Sequence, residues 1–195
     1  MECIERLARE LRDTSAMGRP LEIEIDARDL RGGDKQWEWI KKGIPLRIEV
    51  GPRDVEGKTV VVGRRDQGPR DKLVLTHDEL PRRVPELLAQ MQENLLSRAR
   101  AFRDENTRAV SSLAELDELF GAKGADDKGA PGGFALVHWD GTPESEAKLK
   151  DWKATIRCLP EPVRGGASWE GALDEPGACI VSGRPSARRV LVAKS

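Results

Sequence analysis

Apolar residues recur along this chain with two different periods, and the switches between them mark its elements. Ile4, Leu7, Ala8 and Leu11 fall at i, i+3, i+4 and i+7, which predicts a helix over residues 2–12. Asp13 to Pro20 reads as a loop. Leu21 to Ile25 alternates apolar and acidic, the period of a half-buried strand, and ends at Asp26-Ala27-Arg28-Asp29. Gly32-Gly33 opens a short helix around Trp37, which Gly43 and Pro45 stop. Leu46 to Val50 alternates again: Leu46, Ile48 and Val50 point toward a core, Arg47 and Glu49 away from it. Gly51-Pro52 then turns the chain and sets Arg53 and Asp54 at the strand's end. Helix, strand, helix, strand with these spacings predicts a parallel α/β sheet.

Further along, the valine-rich stretch Thr59 to Gly63 reads as a buried strand and Lys72 to Leu75 as an edge strand. Pro81 and Pro85 fit only near a helix start. From Val84 to about Arg108, the residues Leu87, Leu88, Met91, Leu95, Ala99 and Phe102 form one stripe of a long amphipathic helix, read as core. Leu113 to Phe120 predicts a short acidic helix. Gly121 to Gly133, rich in Gly, Ala, Asp and Lys, reads as a linker and the domain boundary. Beyond it the pattern gives a strand over Phe134 to Trp139, a helix over Pro143 to Trp152 and a strand over Lys153 to Cys158. A Gly/Pro-rich loop over Pro160 to Gly177 follows, then strands at Ala178 to Val181 and Arg189 to Ala193. The fold class is α/β: a mixed sheet with flanking helices in a first domain over residues 1–120, a linker over 121–133 and a small α/β domain over 134–195.

Composition sharpens this picture only in places. A net charge of −1 excludes a global polycation, yet Arg31 to Lys72 holds eleven basic and seven acidic residues. A nucleic-acid surface needs no more than such a local positive field. No apolar run approaches a membrane span, and no signal peptide is visible. Cys3, Cys158 and Cys179 are odd in number and widely spaced, which suggests a reducing cytoplasm rather than a disulfide framework.

Candidate chemistry concentrates between Gly32 and Asp54. Arg47 and Arg53 offer donor forks that fit the O6/N7 edge of guanine; Glu49 and Asp54 are acceptors for base amino groups. Lys35, Lys41 and Lys42 suit phosphate contacts. Trp37 and Trp39 are stacking candidates. Being two apart on a helix they face different ways, so at least one belongs to the core. His77 and His138 form no nucleophile motif with any serine or cysteine, so no catalytic residue is expected. Gly32-Gly33 lacks the GxGxxG dinucleotide fingerprint.

The stretch GDKQWEWIKKGIPLRIEVGPRD resembles the anticodon-binding domain of prolyl-tRNA synthetase, of the archaeal/eukaryotic type that many bacteria also carry. Downstream words agree in order: Gly63-Arg64-Arg65-Asp66, Ala99 to Arg108, Gly133 to Trp139, Ala154 to Cys158 and Gly183-Arg184-Pro185-Ser186. The resemblance implies that proline tRNA is the partner. Its anticodon guanines would be met by Arg47, Arg53 and Asp54, with Glu38 as a further contact. Ile40 stands where many relatives have a glutamate, which implies weaker readout of one base. It also implies a cytoplasmic protein with no membrane association and a catalytic domain as second partner. ATP and Mg²⁺ would serve the full enzyme; the present stretch needs no cofactor.

Four further departures from the family follow. An N-terminal strand that precedes the first helix is missing, so exposed sheet edges and self-association, as a homodimer, are expected. The class II catalytic motifs are absent, so the chain alone should not aminoacylate. A four-cysteine structural zinc site would fall on Asp140, Ser145, Cys179 and Ser182, where one thiol remains, so no metal is expected. Ser195 also stands where the family tends to end in a tyrosine. The alternative function is a truncated or degenerate copy acting as a non-catalytic protein-interaction module.

Overall fold

The computed structural model describes residues 1–121 and 130–194, so most of the expected linker lies outside the described residues. The chain divides into two compact units, residues 1–97 and 98–195.

The first unit opens with α1 (Glu2–Arg12), which buries Leu7, Ala8 and Leu11 as its periodicity requires. The expected loop after it contains a small hairpin, β1 (Ser15–Ala16) and β2 (Arg19–Pro20). Met17 and Gly18 at its tip both have positive φ, the geometry that two-residue hairpins demand. The strand expected at Leu21 to Ile25 forms no ladder among the described residues. Its alternation is nevertheless real: Leu21 and Ile23 pack on the core while Glu22 and Glu24 are exposed. Period two reports which way side chains face; it does not supply a neighbouring backbone.

α2 (Gly32–Lys41) leads through the turn at Gly43, φ +81°, into β3 (Leu46–Glu49). The turn expected at Gly51-Pro52 starts a short helix instead, α3 (Pro52–Gly57), which places proline in the first turn where its missing N–H costs nothing. β4 (Thr59–Arg64) and β5 (Lys72–Thr76) complete a three-stranded sheet in the order β3-β4-β5. All its pairings are antiparallel, not parallel as the alternation of elements predicted. The links between these strands are too short for the crossover that parallel pairing needs. Val60 and Val62 of β4 lie at the centre of the core with Leu7, Leu11, Leu75, Leu80, Val84 and Leu87.

The last three of those side chains come from α4 (Leu80–Glu105), which begins earlier than predicted, with Pro81 in its first turn. Its stripe is core only in the first half. Leu80, Val84, Leu87 and Met91 are buried, whereas Ala99 and Phe102 are exposed. The helix outruns the sheet it packs on.

The second unit already begins at Arg98, ahead of the expected boundary at 121–133. The reason is β6 (Thr107–Ala109), a strand lying where the helix was expected to end. It pairs in parallel with β7 (Phe134–His138) and ties this segment to the C-terminal sheet. α5 (Leu113–Phe120), capped by Ser112, lies between them. α6 (Pro143–Leu149) runs into a 3-10 turn at Lys150–Trp152, then β8 (Ala154–Cys158). Of the strand expected at 178–181 only Ala178 lies in a ladder, as part of β9 (Gly177–Ala178), which pairs with β10 (Pro185–Ser186). β11 (Arg189–Lys194) closes the main sheet in the order β6-β7-β11-β8, antiparallel apart from the β6–β7 pair. Its core is Leu116, Leu119, Phe120, Val137, Leu149 and Val192 with their neighbours. The architecture is thus α/β with an antiparallel and a mixed sheet. Among the described residues no helix is long and apolar enough to cross a membrane.

Candidate nucleic-acid interface

β3 is short and alternating, and it presents Arg47 on the face away from the Leu46 and Ile48 side chains that pack on the core. Directly across the ladder stands Gly63. With no side chain there, the Arg47 guanidinium lies over the sheet: a Cβ at Gly63 would stand 3.1 Å from Nη2. Nε and Nη1 of Arg47 are buried and donate to no acceptor among the described residues. Buried donors without acceptors are rare in folded proteins and call for an explanation.

Arg47 lines a cleft of about 370 Å³ between α2 and the β4–β5 connection. Gln36, Trp37 and Ile40 form its helical wall, and Arg64, Arg65 and Gln67 the opposite one. Trp37 is 59% exposed, with the Lys41 ammonium 5.4 Å from its ring centre. The arrangement offers a flat aromatic face, an apolar floor and a donor fork. Those are the elements that hold a base by stacking and read its edge.

The walls are fixed by hydrogen bonds. Arg65 Nη1 donates to the Gly43 carbonyl at 2.9 Å and pins the turn between α2 and β3. Arg64 donates twice to Asp66, Nε to Oδ1 at 2.9 Å and Nη2 to Oδ2 at 2.7 Å; Asn94 adds a bond of 2.7 Å to Oδ2. These donors, Arg64 first, hold the Asp66 carboxyl down to about 2 even though its burial opposes ionisation. On the other side of α2, Trp39 Nε1 donates to Asp26 Oδ2 at 2.7 Å, and Arg28 grips the same carboxylate at 2.9 and 2.8 Å. Asp26 is held well below the usual carboxylate range by Arg28 and then Trp39.

The remaining residues singled out from the sequence divide. Arg53 is exposed in the first turn of α3, beyond the end of β3. Asp54 serves the fold: its Oδ2 accepts the Gly51 N–H at 2.8 Å and so caps α3. Glu49 pairs with Lys72 at 2.7 Å. Glu38 pairs with both Arg28 and Lys42 at 2.9 Å, and Lys42 followed by Arg28 depresses its carboxyl. Lys35 Nζ lies 3.3 Å from the Asp26 carbonyl; Lys42 Nζ lies 4.3 Å from the centre of the Trp39 ring. Glu38, Glu49 and Asp54 are therefore engaged within the chain, and of the proposed base readers Arg47 alone lines the cleft. Gln36, Arg65 and Gln67 were missed. The cue was available: Arg64-Arg65-Asp66-Gln67 follows a buried strand directly, where side chains gather at a sheet end.

Residues 1–87 match the family described as "Anticodon binding domain", and residues 128–195 that described as "Prolyl-tRNA synthetase, C-terminal". The chain is 40% identical over 196 residues to the proline--tRNA ligase of Protochlamydia amoebophila, covering all of this chain and 37% of that protein. It is 43% identical over 192 residues to that of Akkermansia muciniphila, covering 98% and 35%. To proline--tRNA ligase 2 of Anaeromyxobacter dehalogenans it is 43% identical over 195 residues, covering 97% and 36%. The chain spans about a third of the length of these curated relatives.

Proposed function

We propose that this chain, an anticodon-binding domain of prolyl-tRNA synthetase followed by that family's C-terminal domain, binds the anticodon of proline tRNA in the cleft beside Arg47. The observation that carries the reading is the Arg47 guanidinium, whose buried Nε and Nη1 lack acceptors among the described residues while the residue lines an open cleft. A guanine edge supplies two acceptors of the spacing that an arginine fork fits, through Nη2 with Nε or with Nη1. Trp37 packs on a base, and exposed Arg53 meets a neighbouring base or phosphate. Ile40 gives the cleft an apolar wall where the resemblance implied a carboxylate, so one base is held by contact rather than by a charged acceptor. Lys35 and Lys41 on α2, with Lys42 at its C-cap, add a local positive field for phosphates.

In a full enzyme these domains position the tRNA. A separate catalytic domain uses ATP and Mg²⁺ to activate proline and transfers it to the acceptor end, in the cytoplasm. We assign the archaeal/eukaryotic type from the ordered words around Pro45-Leu46-Arg47 and Gly51-Pro52-Arg53-Asp54. Homodimer formation through the exposed edge of β5 is part of the same proposal; Val74 there is 65% exposed.

Titrating the chain with proline tRNA and with the same tRNA carrying pyrimidines at the anticodon guanines tests the reading. Tighter binding of the unaltered tRNA is expected. Equal, steeply salt-dependent affinities would instead indicate phosphate attraction alone.

A further inference from the structure

In the second unit, one carboxylate joins a strand end and the helix start that follows it to a turn far along the chain. Asp140 follows the end of β7, and its side chain is 3% exposed. Oδ1 accepts from Ser145 Oγ at 2.5 Å, from Thr142 Oγ1 at 2.8 Å and from the Thr142 N–H at 3.1 Å. Oδ2 accepts from Ser182 Oγ at 2.6 Å. The Ser182 N–H points at Cys179 Sγ, 3.5 Å away. Cys179 and Gly183 close their own turn: Cys179 N–H donates to the Arg184 carbonyl at 2.7 Å, and Gly183 N–H to the Cys179 carbonyl at 2.9 Å. The strand end, the N-terminal turn of α6 and the 179–184 turn thus converge on Asp140.

Asp140, Ser145, Cys179 and Ser182 are the four positions at which the resemblance implied a zinc site. The residues present do not fit that ion. A structural zinc needs four strong donors, chiefly thiolates and imidazoles. Here one thiol remains, and it lies against a backbone N–H. Two of the other positions are hydroxyls whose protons are directed at the fourth, a carboxylate with both oxygens in use.

We propose that this carboxylate–hydroxyl clasp takes over the work of a structural metal, closing the C-terminal unit with no bound ion. The anion at the centre reverses the usual polarity. A cation would draw lone pairs inward, whereas Asp140 draws hydroxyl protons inward from the same positions. Short charge-assisted bonds of this kind are about twice as strong as neutral ones, and here the accepting carboxylate is itself sheltered from water.

The test uses the full chain. Purified protein is assayed for metal by mass spectrometry and unfolded thermally with and without a strong chelator. No stoichiometric zinc and an unmoved midpoint are expected; a bound zinc or a chelator-lowered midpoint would overturn the proposal. Asp140→Asn, which cannot accept from hydroxyls on both sides, should lower the midpoint by at least about 5 °C. An unmoved midpoint would show that the clasp carries no weight. A triple variant, Asp140→Cys, Ser145→Cys and Ser182→Cys, joins three thiols to Cys179. It should take up one Co²⁺ per chain with the absorption of a tetrahedral thiolate site and become chelator-sensitive. Failure to bind cobalt when folded would refute the claim that the clasp occupies a metal's place. If Asp140→Asn does not fold, the metal and chelator measurements on the unaltered chain still decide.

Discussion

Arg47 faces Gly63 across the β3–β4 ladder, and the missing side chain at 63 is what lets the guanidinium lie against the sheet. A methyl group at 63 would sit 3.1 Å from Nη2, tight enough to shift the fork by a few tenths of an ångström. Gly63 has no positive φ, so the backbone itself tolerates a side chain. Gly63→Ala is therefore expected to fold and to weaken base discrimination in part. Arg47→Ala should remove about 1–3 kcal/mol of preference for the unaltered anticodon. Binding isotherms for both variants against tRNA with and without the anticodon guanines check this; an unchanged preference in Arg47→Ala would remove that residue from the interface.

Asp66 gives the first unit a predictable acid sensitivity. Its side chain is fully buried and accepts from Arg64 and Asn94, which holds its carboxyl down to about 2. The unfolded chain takes up a proton near the ordinary value of about 3.9, so below that pH the unfolded state binds more protons than the folded one. The stabilisation is complete above about pH 5 and is lost as pH falls from about 4 toward 2. Asp66→Asn leaves Arg64 half-paired and should cost on the order of 3 kcal/mol at neutral pH. It should also flatten this part of the stability–pH curve. Urea unfolding at a series of pH values measures both effects.

How much of this was legible in the sequence follows from what periodicity encodes. Leu7, Leu11 and Leu87 were placed in the core by spacing alone, because burial on one face is what produces a period, and Val60 and Val62 by an unbroken apolar run. Pairing is not encoded that way. Leu21 to Ile25 alternates as a strand and finds no ladder among the described residues, and β6 hides in three residues at the end of a helical pattern. Helix α3 was missed because Gly51-Pro52 is equally good as a turn and as a cap with proline in the first helical turn. At the site, the outward direction of Arg47 followed from its place on β3. The engagement of Glu49 by Lys72 and of Glu38 by Arg28 and Lys42 did not, since two of those partners lie more than a few residues away.

The two tryptophans of α2 separate stability from binding. Trp39 anchors the 21–31 segment through Asp26 and lies under the Lys42 ammonium, whereas Trp37 is 59% exposed on the cleft wall. Trp39→Ala should lose about 2 kcal/mol of stability, from packing and from the orphaned Asp26 oxygen. Trp37→Ala should leave the unfolding midpoint nearly unchanged and weaken RNA binding by about 1–3 kcal/mol, the range for one base stacked on an aromatic ring. Trp37→Phe should recover part of that loss. Paired measurements of thermal unfolding and tRNA affinity distinguish the two roles; equal stability losses would contradict the assignment.

The second unit carries a different pH signature, centred on His138. The imidazole is buried at the end of β7, with Nδ1 3.3 Å from Ser186 Oγ. Burial, followed by the nearby positive charge of Arg189, pushes its pKa below the ordinary value, with Glu175 opposing. The unfolded chain protonates this group near pH 6.5 while the folded chain resists, so stability falls as pH drops below about 6.5. The ring is also closely walled: a methyl group at Gly177 would run into its Nε2 edge. Gly177→Ala should therefore cost roughly 1–3 kcal/mol by overpacking. His138→Gln should lose the loss of stability between about pH 6.5 and 5 and keep the acid limb assigned to Asp66. Histidine titration by NMR, run beside the unfolding series, checks the assignment, since an imidazole titrating at its ordinary pH would contradict it.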